Sequence, residues 1–224
     1  MTNKEKFKQI IKNWSKNVLY GKGFRRFFSF PFYPNISPQA NIGINNIIGN
    51  PNNLFMYGNS TLKRDSVIMN GRAKFILKKN SGAAEELMVI AGNHMSLVGK
   101  SVKDVTDAVK DAEDTSHQFD QDVLVEEDVW IGARVTILAG VHIGRGCEIG
   151  AGTVLRKSTP PYSVVVGNPA KVVGFRFTPE EIIEHEKILY PEKQRLPIDV
   201  LEKNYDKYYL SKLKETREFL RLSL

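Results

Sequence analysis

Aliphatic residues return at every sixth position between Val125 and Leu155, as Val125, Ile131, Ile137, Ile143, Ile149 and Leu155. Four places after each of the first five stands a smaller residue: Val129, Val135, Val141, Cys147 and Thr153. An interval of six drifts off the face of a helix and does not match the simple alternation of a strand. It calls for short strands broken by a corner once in every repeat. Gly132, Gly144 and Gly150 follow the aliphatic residue directly, where a tight corner leaves least room for a Cβ. Three such rungs make one triangular turn, and successive turns stack each aliphatic residue over its equivalent. The expected fold class is mainly β, a parallel β-helix held together by contacts between neighbouring turns.

Outside that stretch the pattern changes character. Met56, Leu62 and Ile68 keep the six-residue interval, Phe75 slips by one, and Leu87 resumes it, with a turn expected around Asn80 to Gly82. The beat then vanishes over 95–124, where residues 95–122 carry seven acids against three lysines. Side chains of that kind cannot enter a stacked apolar core, so the segment is expected to leave it as a projecting loop. Loops inserted on one face of a repeat protein commonly shape its binding site. After Leu155 the chain closes through Pro160, Pro161 and the GNPAK turn. Thr178, Pro179 and Glu181 then have the order of a helix cap, and a tail broken near Pro191 and Pro197 reads as two helices covering the end of the stack. At the other end Phe7, Ile10, Ile11, Trp14 and Val18 share one helical face, with Lys4, Lys8, Lys12 and Lys16 around the rest. The organisation is therefore a basic amphipathic segment over 1–33, a β-helix over 34–177 and a helical extension over 178–224.

Charge refines this picture once it is located. Eight of the 32 Lys and Arg residues, but one of the 25 acids, fall within residues 1–26, so the net charge of +7 belongs to that end and the body is balanced. A neutral body with a basic arm does not present the surface that nucleic acid requires. The single cysteine excludes an internal disulfide framework and fits a reducing compartment. No apolar run approaches the roughly 20 residues that span a bilayer, and no secretory signal is seen. A cytoplasmic location follows as the expectation.

The segment EDVWIGARVTILAGVHIGRGCEIGAGTVL, followed by PPYSVVVGNPAKVV, resembles the hexapeptide-repeat O-acetyltransferases, closely over residues 125–177 and more loosely over 54–96. The resemblance implies a left-handed coil, acetyl-CoA as co-substrate, no metal, and a homotrimer with its sites between subunits. It also implies that the catalytic histidine stands just before an excursion of the chain. That position is held by His94 in VIAGNHMSL, with Asn93 beside the acceptor. By the same resemblance Trp130 lies beside the pantetheine arm, Ala133 and Ala151 offer it backbone groups, and Arg156, Lys157 and Lys171 lie near the phosphates. Some relatives carry Thr where this chain has Arg156.

An imidazole with a pKa near 6.5 suits removal of a hydroxyl proton at neutral pH, and the thioester is already reactive, so acyl transfer needs little beyond such a base and stabilisation of the oxyanion. Of the other three histidines, His117 either reaches the acceptor or steadies His94, or stays a solvated loop residue. His142 should point outward, and His185 should be solvated on the tail helix. Cys147 takes an inward position and is not expected to act as a nucleophile. A metal-dependent β-helical enzyme would need a histidine pair five residues apart, whereas the nearest two here are 23 apart. The reading is an acetyl-CoA-dependent O-acetyltransferase acting on a sugar hydroxyl, a surface-polysaccharide precursor first and an antibiotic second; a catalytically silent scaffold is the distant alternative. The basic segment 1–26 either lies on an anionic membrane surface, at the inner face, or packs its apolar side on the trimer.

Overall fold

The computed structural model describes residues 33–210. The amphipathic N-terminal segment and residues 211–224 of the tail lie outside the described residues. Between these limits the chain winds as a triangular prism with three sheets. The first face stacks Asn41–Ile42, Thr61–Leu62, Gly82–Ala83, Trp130–Ile131, Glu148–Ile149 and Ser163–Val166, and ends on Lys171–Phe175. The second stacks Ile47–Ile48, Val67–Met69, Met88–Ile90, Thr136–Leu138 and Val154–Leu155, and the third Leu54–Met56, Phe75–Leu77, Val123–Val125 and His142–Ile143. All pairings within the stack are parallel, and only Lys171–Phe175 runs antiparallel to its neighbour.

Period and burial agree. Ile131, Ile137, Ile143, Ile149 and Leu155 are buried, as are Val129, Val135, Val141, Cys147 and Thr153 between them. Ile131 pairs in register with Ile149, three rungs later, so like side chains lie over one another along the axis. Each fully buried aliphatic side chain of this kind contributes about 1.5–3 kcal/mol. A Cβ on Gly132 would meet the Ala151 nitrogen at 2.6 Å, and one on Gly144 the Pro161 nitrogen at 2.7 Å, which explains both glycines.

The earlier coils use the same geometry with different chemistry. Met56, Leu62, Ile68, Phe75 and Leu87 are all buried, but the small inward places are taken by Ser60, Ser66 and Ser81, with Asn70 buried beside them. Each finds partners in the corners. Ser60 Oγ donates to the Tyr57 carbonyl at 2.6 Å, Ser81 Oγ donates to the Glu126 carbonyl at 2.5 Å, and the Asn70 amide spans the backbone of Asn50 in both directions at 3.0 Å. The turn expected over Asn80 to Gly82 is shorter than that. Asn80 makes the corner with φ 61°, while Gly82 already belongs to a strand.

The excursion begins after Ile90 and returns earlier than expected, because Val123 and Leu124 are strand residues. It is not a plain loop. Asp107–Glu113 forms a short helix, α1, with Thr106 Oγ1 accepting from the Val109 N–H. At the far end Thr178 and Glu181 cap each other at the start of Pro179–Leu189, α2, and Ile198–Tyr205 forms α3. The ring of Tyr205 packs on Phe175 of the last strand, covering the end of the stack. Helix α2 meanwhile runs down one edge of the prism. The Glu186 carboxylate, 2% exposed, accepts from the Tyr162 hydroxyl at 2.5 Å and from Arg145 at 2.9 Å, and Tyr190 lies under the Arg145 guanidinium and near Lys79. Burial and the neighbouring Glu186 push the Tyr162 hydroxyl far above its ordinary pKa, so it remains a donor at any physiological pH. Replacing Ile137 with Ala should cost about 2–5 kcal/mol of unfolding free energy. Thr136→Ala, on the outward side of the same strand, should change it by less than about 0.5 kcal/mol. Chemical denaturation of the two variants checks which side of that strand faces the core.

Candidate active site

His94 stands where the second face would turn into the third. The coil that should go on from Ile90 to the next corner departs instead, and its two limbs hold each other at the base. The Gln121 N–H donates to the Ala91 carbonyl at 3.0 Å and the Asn93 N–H to the Phe119 carbonyl at 2.6 Å. Asp120 sits so close over Gly92 that a side chain there would collide with its carboxylate. Asn93 and His94 emerge from this clasp, both exposed. No hydrogen-bond partner of the His94 ring is found among the described residues.

The cations gather on the same edge of the prism. Arg156 follows Leu155, whose strand pairs with Thr136–Leu138, which in turn pairs with Met88–Ile90. With coils spaced by roughly 4.8 Å, Arg156 lies about 10 Å along the axis from the level at which the excursion departs. Arg156, Lys157 and Lys171 together line one cavity of about 350 Å³, with Pro169, Ala170 and Tyr208. The hairpin between Ser163–Val166 and Lys171–Phe175 carries Lys171 there: the Val154 N–H donates to the Gly167 carbonyl at 3.1 Å and the Ala170 N–H to the Val154 carbonyl at 3.3 Å.

The remaining candidates are not brought to that edge within one chain. Ala133 and Ala151 stack on the opposite edge of the second face, and the Ala133 carbonyl accepts from the Gly152 N–H at 2.9 Å. Trp130 points out from the first face with half its surface exposed, its ring resting on Gly82. It lines a separate groove of about 410 Å³ with Asn41, Asn80, Asp128, Glu148 and Arg176. His117 is exposed in the excursion at φ 53°, beside Asp114, and makes no contact with His94 among the described residues.

The other imidazoles have occupations of their own. His142 points outward as expected, and its Nε2 hydrogen-bonds to Glu126 Oε1 at 2.9 Å. His185 is not solvated. It is half-buried, packed edge-on against Tyr162 and against Phe177, 3.4 Å from Asp128. The spacing of the tail places it on α2 but says nothing of the aromatic residues that α2 meets. Cys147 is fully buried, its thiol donates to the Pro160 carbonyl at 3.0 Å, and burial pushes its pKa upward, so no thiolate is available.

Sequence reasoning missed the ion pairs that hold the excursion and its return. Lys110, on α1, is buried and forms an ion pair with Asp120 at 2.7 Å. Arg72 of the prism pairs with Asp111 and with Asp120, the latter at 3.2 Å. Where the chain returns, Glu126 takes Lys78 at 2.8 Å together with His142. A helix as polar as DAVKDAE has no apolar stripe to signal which side faces inward; the one cue was a lysine among acids. For Glu126, burial opposes charge, but hydrogen bonds from His142 and Lys78 outweigh it and hold the carboxyl at about 2, below its usual 4.5. A carboxylate depressed in the folded state stabilises above its unfolded pKa and loses that contribution as pH falls through the folded one. The unfolding free energies of the wild type and Glu126→Gln should therefore differ most above about pH 4.5 and converge towards pH 2. Denaturant titrations across that range check the sign.

Residues 122–157 match the bacterial transferase hexapeptide model of six repeats. Over 64 residues the chain is 47% identical to a probable macrolide acetyltransferase of Lysinibacillus sphaericus, covering 29% of this chain and 36% of that one. It thus spans about a third of the length of the curated relatives it matches. Among solved structures it is similar to a maltose O-acetyltransferase from Clostridium difficile 630, at 20% identity and a TM-score of 0.56 over 73% of this chain and 84% of that one. It is also similar to a hexapeptide-repeat-containing acetyltransferase from Vibrio cholerae O1 biovar eltor complexed with acetyl coenzyme A, at 17% identity and a TM-score of 0.52 over 73% and 82%. Residues 122–157 thus carry the hexapeptide repeat, and the chain shares with these structures the left-handed parallel β-helix fold.

Proposed function

We propose that this chain is an acetyl-CoA-dependent O-acetyltransferase that transfers acetyl to a hydroxyl of a sugar, a precursor of a surface polysaccharide. The observation that carries the reading is the shared edge: an exposed imidazole at the mouth of the excursion, and a cavity lined by Arg156, Lys157 and Lys171 some two coils away on the same edge. Three cations around one cavity suit the phosphates of a coenzyme A donor, leaving its thioester end free to extend along the edge towards His94. The acceptor hydroxyl gives its proton to the His94 imidazole, and its oxygen attacks the thioester carbonyl. The imidazolium then returns the proton to the departing thiolate. Asn93 and, from the excursion, His117 face the acceptor.

One prism offers a donor an edge but not a second wall. Trp130, Ala133 and Ala151 point to where that wall comes from, since they lie on other parts of the same chain and would meet the donor from a neighbouring subunit. The second face supports a homotrimer of this kind. Its outward side exposes Ile47 by 65% and Met69 by 54%, apolar surface that a neighbour would cover. Acetyl-CoA places the reaction in the cytoplasm, and the basic segment 1–26 offers a contact with the inner membrane face. The relatives named for macrolide and chloramphenicol favour a second reading, acetylation of an antibiotic hydroxyl by the same base.

His94→Ala should lower turnover by about two orders of magnitude while leaving donor binding unchanged. Free-thiol release and calorimetry with acetyl-CoA read the two quantities, and near-normal turnover would remove the base assignment. Release measured against a panel of sugars, nucleotide sugars and antibiotics separates the two acceptor classes. Lys171→Ala should raise KM for acetyl-CoA by roughly three- to tenfold with kcat nearly unchanged. A fall in kcat without a change in KM would move the phosphates elsewhere.

A further inference from the structure

We propose that Lys110 is the positioning residue for His94, an inference that rests on the reading of His94 as the general base. Lys110 lies on α1, in the middle of an acidic excursion most of whose charged side chains remain in water. It does not remain there. Its side chain is 10% exposed, and the Asp120 side chain that pairs with it is 9% exposed. Removing two charges from water is costly unless their geometry is good and their remaining valences are met. Here they are met, and one of the partners lies beside the proposed base: Lys110 Nζ donates to the Asn93 carbonyl at 2.7 Å as well as pairing with Asp120 at 2.7 Å.

The consequence is that both backbone groups of Asn93 are fixed from the excursion. Its N–H is held by the Phe119 carbonyl and its C=O by the Lys110 ammonium. The next residue along the chain is His94. Phe119 is in turn ordered by Asp114, whose carboxylate accepts from the Phe119 N–H at 3.0 Å and the Gln118 N–H at 2.9 Å. Arg72, rooted in the prism, closes the arrangement by pairing with Asp120 and Asp111. A charge on a remote helix thus determines where the chain carrying the imidazole leaves the stack. A ring with no hydrogen-bond partner among the described residues depends on its backbone for its place, and displacements near 1 Å cost acyl transfer heavily.

The test uses the full chain with Lys110→Met, which keeps the length and loses the charge, and Lys110→Arg, which keeps the charge. In Lys110→Met, kcat for thiol release should fall by about tenfold to a hundredfold while KM for acetyl-CoA stays within about twofold. Amide hydrogen exchange over 91–97 should rise by about tenfold or more, with the coils unchanged. Lys110→Arg should recover most of both. A general loss of folding would instead speed exchange throughout and would not be rescued selectively. An unchanged kcat in Lys110→Met, beside a disabled His94→Ala, would overturn the positioning role alone. Unchanged turnover in His94→Ala would overturn the base assignment and the positioning role with it.

Discussion

Everything in this molecule depends on the register of parallel coils. Each inward aliphatic residue is buried because an equivalent one lies above and below it, and each strand is paired because the turn before and the turn after supply its hydrogen bonds. Neither condition can be met by a single coil, so the stack is cooperative along its axis. The excursion at residue 91 is tolerated for the same reason. Ala83 pairs with Ile131 in unbroken register although 48 residues separate such neighbours, because the two limbs of the excursion pair with each other and hand the chain back at Val123 in phase. A rigid frame on both sides of a departing segment is what allows an exposed imidazole at its mouth to have a defined position.

The frame was legible where its chemistry is apolar. From Val125 to Leu155 the inward positions are aliphatic or small, and their spacing alone gives strand, corner and stacking direction. Before that the same frame is written in residues that carry no hydrophobic signal. Ser60, Ser66 and Ser81 are buried at the small inward places because corner carbonyls and side chains satisfy them, and a serine in sequence looks like a solvated residue. The corners hide in a similar way. Glu86 and Arg134 both adopt positive φ, near 60°, where glycine or asparagine would have been the cue, and they pair with each other across neighbouring coils at 2.9 Å.

The candidate site was legible in part for a different reason. His94 was singled out because the resemblance implies a histidine just before a break in the repeat, and the three cations by the resemblance of the closing segment. That Arg156, Lys157 and Lys171 share one cavity follows only from the hairpin that folds 167–170 back over the last coil. Lys110 and Asp120 could not have been read at all, since what sets them apart from most charges of the excursion is burial, and Asp120 is paired as well with Arg72, far off in the chain. The path of α2 is the same case: the contact that sets it joins Arg145 to Glu186, 41 residues apart, through one buried carboxylate.

The reversed final strand has a consequence for the end of the stack. A parallel stack has no intrinsic reason to stop, and its last coil is a template on which a second molecule could continue the same winding, end upon end, into a fibre. Lys171–Phe175 breaks that possibility on the first face by presenting a ladder of the opposite sense. On the other two faces the backbone groups of the uppermost strands are taken up by Gly167 and Ala170 and by Thr159. The hairpin that carries Lys171 to the cavity beside Arg156 and Lys157 thereby also closes this end of the stack to continued parallel pairing.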